Sequence, residues 1–308
     1  MITVAGLTPS LDLTYLVDSF ALGQIHRVPD VVRCAGGKAL NMARAASTLG
    51  ADCTVVAILG GPTGATLVEL LRAEGLAVTV IESPAETRIC VSVAAADSEA
   101  LTEIYQEAAA LPDPVLQAFV AELDHVLRRS PGWLSISGRA PAGSSQVIAE
   151  LVALGGRLGI RVAIDTHGAA LAPALAAGPA LVKVNRYEAA ELLRVPVDTD
   201  LRVMAEEVRA RCGAIVVLTD GAAGSVAVDG ERALRAQPPE VVGRFPVGSG
   251  DSFLGGLLAG LDAGHDLRQA LGMAAASGVA NALVPGQGHF TAASFAAVQA
   301  GVQIHDMD

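Results

Sequence analysis

The chain has 308 residues, 52% of them hydrophobic and 3% aromatic, so it can bury a large core made mainly of Ala, Val and Leu. Its formal charge of −11 argues against a nucleic-acid or anionic-membrane partner. No window approaches the roughly 18 uninterrupted apolar residues of a membrane span, and "MITVAGLTPSLD" lacks the pattern of a signal peptide. Cys34, Cys53, Cys90 and Cys212 are scattered without metal-like spacing, so reduced thiols in a soluble, cytoplasmic protein are expected.

The first expected strand is "ITVAGL". From Leu11 to Ala35 there is no good helix, only the extended-looking "LTYLV" and "VPDVVRC". A helix follows over Lys38–Leu49, with apolar residues at Ala39, Met42, Ala43, Ala46 and Leu49. Strand "CTVVAILG", helix Thr63–Glu74 and strand "VTVIES" come next. Arg88–Gln106 then reads as two strand-like arms around a turn at Asp97–Ser98–Glu99. Beyond it, helices Pro114–Arg129, Ser144–Leu158 and Leu201–Cys212 alternate with "WLSISG", "RVAIDT", "ALVKVN" and "AIVVLTDG". A last clear helix carries Phe253, Leu254, Leu257, Leu258 and Leu261. Near-continuously apolar strands alternating with helices indicate an α/β class with a mostly parallel sheet covered on both faces. The simplest organisation is one domain over 1–308, with the insertions at about 11–35 and 88–106 forming a small β lid.

Two glycine-rich loops run straight into helices. Gly36-Gly37 precedes a first turn whose backbone N–H groups are unpaired, and Lys38 and Asn41 fall on one side of it. A tight turn with a solvated lysine would look the same. Gly248-Ser249-Gly250 is more demanding, because it precedes both a helix and a carboxylate, Asp251. A concave run of N–H groups there suits an oxyanion or phosphate, whereas a plain helix cap needs no glycine cluster. The combination makes sense if Asp251 takes a proton from a hydroxyl while Gly248, Ser249 and Gly250 steady a phosphoryl group in transit. No P-loop pattern occurs.

"PVGSGDSF" resembles the GAGD signature of ribokinase/PfkB-type carbohydrate kinases, with Ser249 where alanine is common. "GGKALNMARAASTLG", "LGGPTG", "SGRAP", "AIDTHGAAL", "KVNRYEAAEL" and "LTDGAAG" resemble further family motifs, in the family's order, across nearly the whole chain. The resemblance implies a ribokinase-like fold, ATP as phosphate donor, Mg2+, and transfer to a sugar hydroxyl. It casts Asp251 as catalytic base and Gly248 to Gly250 as the anion hole. It places Asn185 and Glu188 near magnesium, through waters, as suits an ion that keeps part of its hydration. Lys183 would approach the nucleotide phosphates, Thr219, Gly221 and Gly224 would lie beside the nucleotide, and Asp12, Gly36, Gly37 and Asn41 would hold the acceptor.

Lys38, Arg88 in "ETRICV" and Asp12 in "TPSLD" resemble the branch acting on already phosphorylated hexoses: fructose 1-phosphate, fructose 6-phosphate or tagatose 6-phosphate. Such an acceptor needs local cations, for which Lys38, Arg88, Arg139 and Arg27 are candidates; Arg139 reads equally as a surface arginine. The lid strand "TEIYQEAAAL" departs from the branch's "TEINEPG"-like pattern at Tyr105 and Gln106. Alternatives are a kinase of a neutral sugar or nucleoside on the same fold, and a non-catalytic sugar-phosphate- or nucleotide-binding regulator. The family's habit of pairing lids implies a homodimer, with Val31, Val32, Ile89 and Val91 as interface candidates that could instead pack on their own core. His167 and His289 read as structural or exposed histidines rather than proton carriers.

Overall fold

The computed structural model describes residues 1–98 and 100–307, so Glu99, at the tip of the expected turn, lies outside the described residues. The first strands are β1 (Ile2–Gly6), β2 (Ser10–Val17), β3 (Asp30–Gly36), β4 (Cys53–Leu59), β5 (Ala77–Glu82), β6 (Arg88–Ala95) and β7 (Leu101–Tyr105). They are followed by β8 (Trp133–Ser137), β9 (Arg161–Asp165), β10 (Leu181–Asn185), β11 (Ile215–Thr219), β12 (Ser225–Val228), β13 (Ala233–Gln237) and β14 (Gln303–Asp306). The helices are α1 (Lys38–Thr48), α2 (Gly61–Ala73), α3 (Asp113–Arg129), α4 (Val147–Arg157), α5 (Leu171–Ala176), α6 (Arg186–Leu193), α7 (Leu201–Cys212), α8 (Ser249–Asp262), α9 (Leu267–Ala282) and α10 (Ala292–Gln299).

Ten strands form one sheet in the order β14-β13-β12-β11-β10-β9-β8-β1-β4-β5. From β11 to β5 every pairing is parallel, and β12 to β14 add an antiparallel edge. Two apolar layers sandwich the sheet. On one side Phe119, Leu123 and Leu127 of α3 and Ile148 and Leu151 of α4 are buried with Ile136 and Ile164 of the strands. On the other, Leu40 of α1, Leu67 and Leu71 of α2, Leu254 and Leu258 of α8 and Leu271 of α9 close over Val55 and Leu181. Parallel strands buried on both faces explain the near-continuous apolar runs.

The two insertions meet in a separate four-stranded sheet, β3-β2-β6-β7. Its register places Cys34, Asp12, Cys90 and Tyr105 in one cross-strand row and therefore on one face. Asp12, Thr14 and Ser92 on that face are buried. Leu13, Tyr15, Ile89 and Val91 point the other way. Short or uniformly small elements escape a sequence reading: β12, β13 and β14 have four or five residues each. In α9 the buried positions are mostly Ala, which blurs any 3.6-residue pattern.

Candidate active site

The candidate residues collect at the carboxyl ends of the parallel strands, where open α/β sheets bind ligands. Gly248 starts the site with φ +82°, a conformation that favours glycine, and Ser249–Asp262 follows as helix α8. The Ser249 N–H closes a turn onto the Pro246 carbonyl at 3.0 Å. The Gly250 and Asp251 amides have no acceptor among the described residues and are the first-turn donors left for an anion. Lys183 stands directly behind them: a Cβ on Gly250 would come within 2.9 Å of its Nζ.

Asp251 is 8% exposed, and Asn41 Nδ2 donates to its Oδ2 at 2.9 Å. Burial pushes the Asp251 carboxyl up to about 6, with nearby Asp165 adding to the rise and Lys38, the Asn41 bond and Lys183 opposing it. Asp165, at the end of β9, is fully buried and accepts from Lys38 Nζ and Lys183 Nζ, each at 2.8 Å. Burial works against its ionisation, but the two ammonium groups win and hold its carboxyl below the ordinary range. For Lys38, burial is outweighed by Asp165 and Glu188, so it stays charged.

Glu188 and Asn185 form a capping box at the start of α6: Glu188 N–H donates to Asn185 Oδ1 at 2.9 Å, and Asn185 N–H to Glu188 Oε2 at 2.8 Å. That pins one Glu188 oxygen. The other, Oε1, lies 3.6 Å from both Lys38 Nζ and His167 Nδ1. His167 is thus half-buried beside the centre, its pKa lowered by burial and by Lys38. His289 lies 3.6 Å from Glu74, and burial next to Arg44 holds it down at about 4, as befits a structural histidine.

On the small sheet, Asp12 accepts from Ser10 Oγ at 2.5 Å and from the Gly37 amide at 3.4 Å. A Cβ on Gly36 would fall 2.1 Å from Asp12 Oδ2, so the carboxylate and the loop can pack together only with glycine there. Burial raises the Asp12 pKa, opposed by the Ser10 and Gly37 bonds.

The proposed acceptor cations are only partly brought together. Arg88 donates to the carbonyls of Thr8 and Gln106 at 3.2 Å each. Arg139 is 63% exposed and pairs with Glu107 at 3.5 Å, while its carbonyl accepts from Thr8 Oγ1. Lys38 turns its ammonium to Asp165 and Glu188 instead, and Arg27 lies on an exposed loop among none of these contacts. Thr219 ends β11, and Gly221 and Gly224, with φ +55° and +98°, bracket the short turn after it. Of the interface candidates, Val32 lies on the Asp12 face, where Gly286 packs against it, opposite Val31, Ile89 and Val91.

Asp165, Arg44 and Asn281 were not singled out from the sequence. Only Asp165 left a signal there, an acid at the end of an apolar strand.

The sequence matches the family described as pfkB family carbohydrate kinase over residues 1–292, and the chain belongs to that family. It is 32% identical to a 1-phosphofructokinase of Rhodobacter capsulatus over 278 residues, 89% of this chain and 88% of that protein. The structure of phosphofructokinase-2 from Escherichia coli in complex with potassium aligns with TM-score 0.89 at 29% identity, covering 97% of this chain and 98% of the other. The tetrameric inhibited form of the same enzyme aligns with TM-score 0.88 at 28% identity and the same coverage.

Proposed function

We propose that the protein is an ATP-dependent kinase that phosphorylates a hydroxyl of a hexose monophosphate: fructose 1-phosphate, fructose 6-phosphate or tagatose 6-phosphate. The observation that carries this reading is the buried carboxylate of Asp251 beside the Gly250 and Asp251 amides, with Lys183 Nζ packed against Gly250.

Asp251 accepts the proton of the acceptor hydroxyl as its oxygen forms the new bond to phosphorus, and ADP departs. A carboxyl held up at about 6 is a better base than an ordinary aspartate yet still ionised at neutral pH. Asn41 keeps the carboxylate turned toward the site. The free helix amides and Lys183 stabilise charge on the transferring group, with little reorganisation because each is already fixed. Asp165 holds Lys183 and Lys38 at a set separation.

The donors suit magnesium-bound ATP. Glu188 offers one oxygen free of hydrogen bonds, Oε1, and among the described residues no cluster of three His, Cys, Asp or Glu converges on a metal position. Glu188 and Asn185 would therefore hold the ion through water and the nucleotide phosphates, and the ion would neutralise charge on those phosphates. Thr219, Gly221 and Gly224 would flank the nucleotide. Asp12, Gly36 and Gly37 would face the acceptor, with Arg88 and Arg139 near its phosphate. A neutral acceptor is the second reading, favoured by Lys38 and Arg88 already having partners.

The small sheet would act as the lid and, through Val31, Ile89, Val91 and Ile104, as the contact of a homodimer. Half-exposed apolar residues on its outer face and two open edge strands support that role. Four free cysteines suit a cytoplasmic location.

ADP release from Mg-ATP across fructose 1-phosphate, fructose 6-phosphate, tagatose 6-phosphate, fructose, ribose and adenosine tests the assignment. Turnover on one phosphorylated hexose supports it. Turnover only on a neutral compound replaces it with the second reading.

A further inference from the structure

Asn281 comes from the end of α9, outside every motif discussed above, and is fully buried. Its side chain is saturated with partners. Nδ2 donates to the Val247 carbonyl at 2.9 Å and lies 3.1 Å from Ser249 Oγ and 3.3 Å from the Phe245 carbonyl. Oδ1 accepts from the Gly288 amide at 2.7 Å and from Ser252 Oγ at 3.2 Å. One amide thus grips the chain on both sides of Gly248 and ties it to the 284–289 loop.

That loop is anchored from the opposite side. Arg44 of α1 donates to the Gln287 carbonyl at 2.8 Å and to the Ala35 carbonyl at 2.6 Å, and is itself held by Glu74 at 2.9 Å. Gln287 in turn backs Gly248, where an added Cβ would stand 2.8 Å from Gln287 Cβ. Arg44 and Glu74 reach the start of α8 through this loop, which packs against Gly248, whereas Asn281 bonds both the loop and the residues flanking Gly248.

We propose that Asn281 is a positioning residue for phosphoryl transfer: it fixes the 245–249 segment and Gly288 so that the first-turn amides of α8 are aimed before substrate arrives. The inference rests on the kinase reading of this site. A buried amide with all of its capacity used has one orientation, and donors fixed in advance favour the transition state over the ground state. An oxyanion-hole donor is worth roughly 100- to 1,000-fold in kcat, and a displaced backbone forfeits part of that.

The test compares wild type with Asn281→Asp, which keeps the shape and the acceptor oxygens but removes both donor hydrogens, and with Asn281→Ser, whose hydroxyl is too short to reach the partners of either amide atom. Three quantities are read: kcat and KM for both substrates, affinity for MgADP with aluminium fluoride and acceptor, and affinity for a non-hydrolysable ATP analogue. Expected for Asn281→Asp is a fall in kcat of roughly 100-fold. KM and analogue affinity should stay within about threefold, while the aluminium fluoride complex weakens in parallel with kcat. Asn281→Ser should show the same pattern with a loss at least as large.

Equal weakening of the analogue and the aluminium fluoride complex in both variants would overturn the inference, because Asn281 would then only support the nucleotide site. Unchanged kcat in both would also overturn it. If wild type itself binds MgADP no better with aluminium fluoride and acceptor, the kinase reading fails, and this inference with it.

Discussion

The two sides of the site are built differently. The floor, where α8 begins, is tied by buried side chains from two other helices, Asn41 and Arg44 of α1 and Asn281 of α9, with the part-buried Glu74 after α2 holding Arg44. The roof is the four-stranded sheet, whose edge strand β7 is largely exposed and whose Tyr105, in the row of Asp12, is 47% exposed with its hydroxyl on Glu103 at 3.0 Å. Its β3 end is anchored, with Ala35 buried in the core beside Leu40 and Leu67 and Leu11 packed against that cluster, whereas β7 pairs with β6 alone and the ties near it are polar, such as Arg88 to the Thr8 carbonyl and Arg139 to Glu107. A rigid floor suits a part that must hold charge in the transition state, and a looser roof suits one that must admit and release an acceptor. Changes in the floor should therefore cost kcat, and changes in the roof should move the acceptor's KM.

The largest effect is expected from Asp251→Asn. Turnover should drop roughly 1,000-fold or more, with nucleotide affinity retained in a direct binding assay. The same variant should be more stable than wild type at pH 8. The folded-state pKa of about 6 lies above the ordinary aspartate value of 3.8, so the ionised carboxylate destabilises the fold increasingly as pH rises between those values and fully above them. Thermal melting at pH 8 checks this, and a lower Tm would contradict it.

Lys183→Met should come next, with kcat reduced on the order of 100-fold, because Asp165 keeps only Lys38 and Gly250 loses the ammonium behind it. A change confined to acceptor KM would blur the division between floor and roof.

The smallest expected effect belongs to Arg139→Ala. The residue is exposed and its partner Glu107 more so, so the acceptor's KM should rise only about two- to fivefold. The rise should shrink at high salt, with kcat and the KM for ATP unchanged. A loss of kcat would place Arg139 in the floor.

Much of this architecture is legible in the sequence. The apolar runs mark the parallel strands, and Gly36-Gly37 and Gly248-Ser249-Gly250 mark where α1 and α8 begin. The insertions at 11–35 and 88–106 mark the second sheet. What stays hidden has a common cause. Asp165 meets Lys38 across 127 residues, and Asn41 meets Asp251 across 210, so no local pattern encodes either pair. Asn281 sits in an alanine-rich helix and Arg44 inside "NMARAAS", where each resembles a polar residue on a helix surface. Their value lies in buried carbonyls that must be paired, and only the folded chain shows which these are. Even Ser249, rightly placed at the helix start, has its amide spent on Pro246, so the donors shift by one residue to Gly250 and Asp251.

The most direct test is kcat/KM for the acceptor against pH from 4.5 to 8.5 at saturating Mg-ATP, which reports the base in the enzyme–MgATP complex that meets the acceptor. The acceptor's own phosphate ionisation is corrected for with its separately titrated pKa. Asp251 is faced by Asn41, Lys38, Lys183 and Asp165, and its carboxylate is the active form, so activity should fall with unit slope as pH drops through about 6. A profile flat from 5 to 8.5, or a limb near the ordinary aspartate value, would contradict a buried Asp251 as the base.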